Sequence, residues 1–223
     1  MRIGACKKTY GRRVVLNCPE MFYEPGLIYA VAGPNGSGKS TYAKIAAGVI
    51  RPDGNVKVTD GKEVVRYMPQ KSFPFRMSVE KNILLFGGDR KRAEMLMEAL
   101  GLAELKKQSA AVLSGGETAK MALARVLMRP CDLLILDEPA AAMEMEAAVR
   151  TESLIDEYRR ECGCAVLLVT HDLSQARRMA DEALFFFRGE LREHGKADQV
   201  LRHPEKEETR RFLDFYGGRI TEG

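Results

Sequence analysis

The stretch Gly33-Pro34-Asn35-Gly36-Ser37-Gly38-Lys39-Ser40-Thr41 fits the pattern G-x-x-x-x-G-K-S, with the apolar run Leu27 to Ala32 before it and helical character from Lys39 to about Ala47 after it. A strand, a glycine-rich turn and a helix in that order make a phosphate cradle. Glycines let successive backbone N–H groups turn inward around phosphate oxygens, and the helix adds its N-terminal amides and dipole. Asn35, Gly36, Ser37, Gly38, Lys39, Ser40 and Thr41 are thus the candidate nucleotide contacts. Within them, Lys39 supplies a cation to the β- and γ-phosphates, and the Ser40 hydroxyl reaches Mg²⁺.

Downstream, Leu133-Leu134-Ile135-Leu136-Asp137-Glu138-Pro139 reads as a buried strand ending in paired acids. A charge at the end of an apolar strand is costly unless it meets a cation or water. Mg²⁺ held between Ser40 and Asp137 offsets that cost, and Glu138, one step on, is placed to orient or deprotonate an attacking water.

Apolar runs alternating with amphipathic stretches mark an α/β chain. Asn55 to Thr59 and Val64 to Met68 are predicted strands, with Asp60-Gly61 as a hairpin turn between them. From Ser72 to about Leu113 helix patterns dominate, and Ala93, Leu96, Met97 and Leu100 form one apolar face. Strand signals resume at Leu133 to Leu136 and Ala165 to Val169, continuously apolar as in a parallel sheet covered on both sides. Ala183 to Arg188, Gly189 and Glu190 to Glu193 suggest a terminal hairpin, and a polar helix is predicted from about Glu205 to Tyr216.

The bulk properties narrow the function. With 223 residues, 45% hydrophobic, the chain can bury a sizeable core. The net charge of +4, from 35 basic and 31 acidic side chains, offers no basic stripe, so no nucleic-acid partner is expected. The cysteines Cys6, Cys18, Cys131, Cys162 and Cys164 lack zinc-like spacing and read as thiols in a reducing compartment. Met1 to Lys8 lack the core of a secretion signal, and no apolar run approaches the roughly 20 residues that cross a bilayer. A soluble, cytosolic chain is expected, with any membrane link supplied by a partner.

The order of these motifs resembles the ATP-binding cassette (ABC) family over nearly the whole chain. The deciding element is Leu113-Ser114-Gly115-Gly116-Glu117, which matches the family's LSGGE signature and opens a helix running to about Met128. It is a second helix N-terminus fit for an anion. The resemblance implies a P-loop NTPase core with a mixed sheet, an N-terminal antiparallel β part and an inserted helical subdomain at about 72–128, all in one ABC ATPase domain. It implies ATP and Mg²⁺ as ligands and a head-to-tail dimer in which Ser114, Gly115 and Gly116 of one copy close on the ATP of the other. Gln70, in Met68-Pro69-Gln70, resembles the Q-loop glutamine that contacts Mg²⁺ and the reactive water. His171, in Thr170-His171-Asp172, resembles the switch histidine at the γ-phosphate, and Tyr10 stands where the family stacks an aromatic ring on adenine. His194 and His203 lack such context and are expected to face solvent.

Glu144 stands where the family usually has aspartate, and Thr118 where glutamine is common. Two functions fit the resemblance. One is the ATPase subunit of a transporter, peripheral on the inner face of the membrane, working through transmembrane permease subunits and an extracytoplasmic solute-binding protein. The predicted permease contact is the segment Lys71 to Asn82, where Phe73 and Phe75 are either exposed anchors or core residues. The tail, with His203-Pro204 and Thr209 to Leu213, resembles those of importers of oxyanions, such as tungstate or phosphate, or of polar amino acids. The other function is a soluble ABC ATPase that drives an assembly process such as iron–sulfur cluster biogenesis.

Overall fold

A computed structural model describes residues 1–54, 56 and 58–216. Ten strands form among the described residues: β1 (Arg2–Ile3), β2 (Cys6–Tyr10), β3 (Arg13–Cys18), β4 (Met21–Phe22), β5 (Ile28–Ala32), β6 (Val65–Met68), β7 (Leu133–Asp137), β8 (Ala165–Val169), β9 (Glu182–Phe187) and β10 (Glu190–Lys196). Helix α1 (Lys39–Ala46) follows the glycine loop, while α2 (Val79–Ile83), α3 (Arg90–Ala99) and α4 (Gly115–Val126) lie between β6 and β7. The remaining helices are α5 (Met145–Cys162), α6 (Leu173–Met179), α7 (Ala197–Arg202) and α8 (Glu207–Tyr216).

Eight strands make one sheet in the order β2-β3-β10-β9-β5-β8-β7-β6, and β1 pairs with β4 separately. The central run β9, β5, β8, β7 and β6 is parallel, whereas β2/β3 and β9/β10 are antiparallel hairpins. The apolar strands are apolar throughout because each feeds a core on both sides. Leu133, Ile135, Leu167 and Val169 pack toward α1, while Leu134, Leu136, Val166 and Leu168 pack toward the α2–α5 side. A third cluster joins Ala30, Ala32 and Phe185 to α6, α7 and α8.

The expected hairpin over Asp60-Gly61 does not form. Val65–Met68 instead pairs in parallel with Leu133–Leu136. Of the predicted strand Asn55 to Thr59, Asn55 and Lys57 lie outside the described residues, and Val56, Val58 and Thr59 carry no strand. The Val58 carbonyl accepts from Gly4 N at 2.8 Å, and Val56 is 46% exposed. An isolated two-stranded ribbon is marginal in water, and docking β6 on a fully buried strand removes more apolar surface. The predicted C-terminal helix is present as α8, which buries Thr209, Phe212 and Leu213.

The segment leading into α2 is organised by one side chain that the periodicity did not single out. Asn82, fully buried, accepts from Phe75 N at 2.9 Å and donates to the carbonyls of Phe75, Met77 and Ser78 at 3.0, 3.2 and 3.1 Å. Arg125 of α4 adds bonds to its side-chain oxygen at 2.9 Å and its backbone carbonyl at 3.0 Å. A satisfied network of this kind is costly to interrupt, because each lost partner leaves a buried polar group behind. Asn82→Leu, which keeps the branched shape but loses every polar atom, is expected to lower stability by about 2–4 kcal/mol in urea titration. It is also expected to speed proteolysis between Lys71 and Ser78. A change below about 0.5 kcal/mol would show that the segment holds itself without this hub.

Candidate active site

The parallel order β5-β8-β7-β6 brings the C-terminal ends of these strands to one edge, the usual position for ligands in an open α/β sheet. Each functional loop of the main chain leaves from that edge: the cradle after β5, His171 after β8, Glu138 after β7 and Gln70 after β6.

In the cradle, Gly33 has φ 139°, and a Cβ there would lie 2.1 Å from the Phe186 carbonyl oxygen. Only glycine fits this turn between β5 and β9. Gly38 is the N-cap of α1 and offers no side-chain acceptor, so the first-turn N–H groups of the helix remain available to an anion. The Ser37 hydroxyl is buried without a hydrogen-bond partner among the described residues. Lys39 is 7% exposed, and its Nζ donates to the carbonyls of Gly33 and Pro34 at 2.6 and 3.0 Å. Burial lowers its pKa, opposed by the charges of Glu138 and Asp137. A buried cation, an unpaired hydroxyl and an uncapped helix end suit a polyphosphate.

Asp137, 2% exposed, accepts from the Ser40 hydroxyl at 3.2 Å on Oδ1 and from the Tyr67 hydroxyl at 3.3 Å on Oδ2. Burial raises its pKa, and these two hydrogen bonds with the charges of Lys44 and Lys39 act in the opposite sense. An oxygen donor pair of hydroxyl and carboxylate is what a hard divalent cation such as Mg²⁺ takes. Glu138 has a left-handed backbone, φ 56°, fixed by its N–H bond to the Val169 carbonyl at 2.8 Å. A non-glycine residue held there costs about 1–3 kcal/mol, and such outliers cluster at working sites. Its side chain is 9% exposed, and Oε2 lies 2.7 Å from Nδ1 of His171, whose own side chain is 64% exposed. Burial raises the Glu138 pKa while the contact with His171 lowers it. A carboxylate with a raised pKa, ordered by an imidazole, can accept a proton from water.

Tyr10, Asn35, Gly36, Ser37, Gly38, Lys39, Ser40, Thr41, Gln70 and Glu138 line one open cleft of about 390 Å³. The structure thus gathers the sequence-derived cradle, carboxylates, Gln70 and His171 at one edge, with Asp137 just beneath. Ser114, Gly115 and Gly116 do not line it. Ser114 is the N-cap of α4, whose capping box pairs its hydroxyl with Glu117 N at 3.3 Å and its own N–H with the Glu117 carboxylate at 2.7 Å. These bonds hold the Glu117 pKa low. Gly116 passes so close to the loop after β7 that a Cβ would sit 2.8 Å from the Ala142 carbonyl oxygen. Glu144 caps α5 by position, but its side chain makes no bond to the helix N–H groups. His194 and His203 are exposed, as expected, and His194 pairs with Glu182 at 2.8 Å.

Arg13 and Val15 also line the cleft, and sequence reasoning passed over both. The register of the first hairpin sets Arg13 directly opposite Tyr10. The only hint was Gly11 after Tyr10, a turn that folds the next strand back beside the ring.

Residues 16–141 match the family model described as "ABC transporter". The zinc import ATP-binding protein ZnuC of Chelativorans sp. (strain BNC1) is 39% identical over 198 residues, which cover 87% of this chain and 68% of that protein. A solved ATP-binding subunit of an ABC transporter superposes with TM-score 0.81 at 21% identity, covering 97% of this chain and 98% of that one. A dimeric ATP-binding cassette in a post-hydrolysis state with ADP and Pi gives TM-score 0.78 at 23% identity, covering 88% and 98%. At those identities the two structures speak for the fold. With more than half of its length matched by the family model and a close relative over most of the rest, this chain belongs to the ABC transporter family and is one of its ATP-binding, ATP-hydrolysing domains.

Proposed function

We propose that two copies of this chain close head to tail around two ATP molecules and that their closing and parting drives import through separate transmembrane permease subunits. The observation that carries this reading is the separation of two anion-binding ends within one copy: the cradle opens α1, and the exposed Ser114–Gly115 end of α4 lies outside that cleft. A second copy brings the two together. Lys39 and the amides of Asn35 to Thr41 hold the phosphates, and Tyr10 supports the adenine. Glu138 takes the proton of the attacking water, with His171 ordering its carboxylate and Gln70 reaching the same water. Ser40, Asp137 and Gln70 would hold Mg²⁺, which when bound neutralises charge on the transferred phosphoryl group.

The transport reading draws on the family and on the exposed apolar ledge beside Gln70, where Phe73 is 78% and Phe75 48% exposed. Both are therefore available as anchors for a permease helix instead of filling the core. No helix among the described residues is long and apolar enough to cross a membrane, so the spanning part is assigned to partners. For the cargo, the relative named for zinc import favours zinc over the oxyanion or polar amino acid suggested by the tail. An extracytoplasmic zinc-binding protein completes the proposed system, and this chain sits on the inner face of the membrane.

The tagged protein, purified from solubilised membranes of its native host, is expected to bring down a polytopic membrane protein. Vesicles holding that complex are expected to accumulate radioactive zinc only with ATP. Recovery of soluble scaffold proteins alone would sink the transport reading in favour of an assembly ATPase. Transport of molybdate or histidine without zinc would return the cargo to the reading from the tail.

A further inference from the structure

The register of two neighbouring strands sets a tyrosine against the acid strand. Tyr67 of β6 lies opposite Ile135 of β7, and side chains two residues apart on a strand share a face. Asp137 therefore projects on the same side as Ile135, toward α1, where Ser40 lies in the first turn of the helix. The Tyr67 ring packs partly buried on that face, and its hydroxyl reaches past Ile135 to Asp137 Oδ2 at 3.3 Å. Ser40 takes the other oxygen at 3.2 Å. The carboxylate is thus held between two hydroxyls from two different elements, one on each oxygen.

A carboxylate in a nearly dry site is free to rotate about its terminal torsion unless both oxygens are claimed. Tyr67 claims the oxygen away from Ser40 and so keeps the other one turned toward the Ser40 hydroxyl. Its place in the chain adds a second consequence, because Tyr67 precedes Gln70 by three residues, on the strand that feeds that loop. A shift of β6 that carries Gln70 away also carries this hydroxyl away from Asp137.

We propose that Tyr67 is a positioning residue for the divalent-cation site, orienting Asp137 through its hydroxyl and coupling that orientation to the strand that leads into the Gln70 loop. The proposal rests on the assignment of Ser40 and Asp137 to Mg²⁺. Partners of this outer kind change metal affinity by about 10–100-fold when removed.

Tyr67→Phe keeps the ring and its packing and removes only the hydroxyl. With the full chain in excess over ADP, Mn²⁺ is titrated in and the free ion is read by electron paramagnetic resonance. The dissociation constant for Mn²⁺ in the protein–ADP complex is expected to rise about tenfold in Tyr67→Phe. ADP affinity in excess EDTA is expected to stay within about twofold, a readout that a general loosening of the fold would move. Asp137→Asn is the reference and should raise the Mn²⁺ constant to that of ADP alone. A Tyr67→Phe constant within twofold of the unsubstituted protein, with Asp137→Asn impaired, overturns the role of Tyr67 and leaves the metal assignment standing. An unchanged constant in both variants overturns the metal assignment and the proposal with it.

Discussion

Glu138→Gln is expected to leave ATP binding intact and to lower the hydrolysis rate by about 10²–10⁴-fold, the range of a lost general base. The amide matches the carboxylate in size, so the site, with only 9% of the side chain exposed, keeps its shape. The left-handed backbone at this position depends on the bond from Glu138 N to the Val169 carbonyl, which the substitution does not touch. What disappears is the ability to accept a proton from water. Phosphate release under saturating ATP measures the rate, and equilibrium binding of a fluorescent ATP analogue measures the affinity. Size-exclusion chromatography with ATP is expected to show a dimer that the unsubstituted protein does not accumulate. A rate within fivefold of normal would remove Glu138 from the role of base and turn attention to His171.

Gly33→Ala carries the largest expected structural effect. The parallel register of β5 and β9 sets Ala32 opposite Phe185, which carries Gly33 up against the next carbonyl along β9. At φ 139° an L-residue is strained before packing is considered, and the new methyl would stand 2.1 Å from the Phe186 oxygen. Backbone oxygen cannot swing aside as a side chain can, so either β9 or the cradle must move. A loss of about 2–6 kcal/mol is expected in urea unfolding, about 1–3 kcal/mol from the strained backbone and about 1–3 kcal/mol from the added methyl in a filled space. The carbonyl of Gly33 itself accepts from Lys39 Nζ, so nucleotide affinity is expected to fall with stability. A loss below 1 kcal/mol would mean that β9 yields easily and that the two central strands are not rigidly registered.

The features legible in the sequence share one property: each is local. The cradle from Gly33 to Thr41, the acids ending β7, His171 between a strand and the cap of α6, and the signature that opens α4 at Ser114 are all written in consecutive residues. The features that escaped are products of pairing between distant segments. Tyr67 gains a role only once β6 lies beside β7, and Arg13 only once the first hairpin folds over the cradle. Asn82 looked like an ordinary polar residue in a helical stretch until a loop wrapped around its side chain. The predicted hairpin at Asp60-Gly61 failed for the same reason, since good turn chemistry was outweighed by a distant strand with more surface to cover. The exposure of Phe73 and Phe75 was likewise undecidable from apolar character alone.

The self-contained cap on α4 bears on how often two copies can part. Ser114 and Glu117 satisfy each other within one chain, so the helix end needs no outside ligand to remain intact. Separation of the proposed dimer therefore leaves the Ser114 and Glu117 amides paired within the chain, and only the first glycine amides of the helix turn to water. Entry of a phosphate, in contrast, must compete with an internal bond of 3.3 Å, which is easily exchanged. An engine that must let go after every stroke is well served by a grip whose fingers rest on each other when empty.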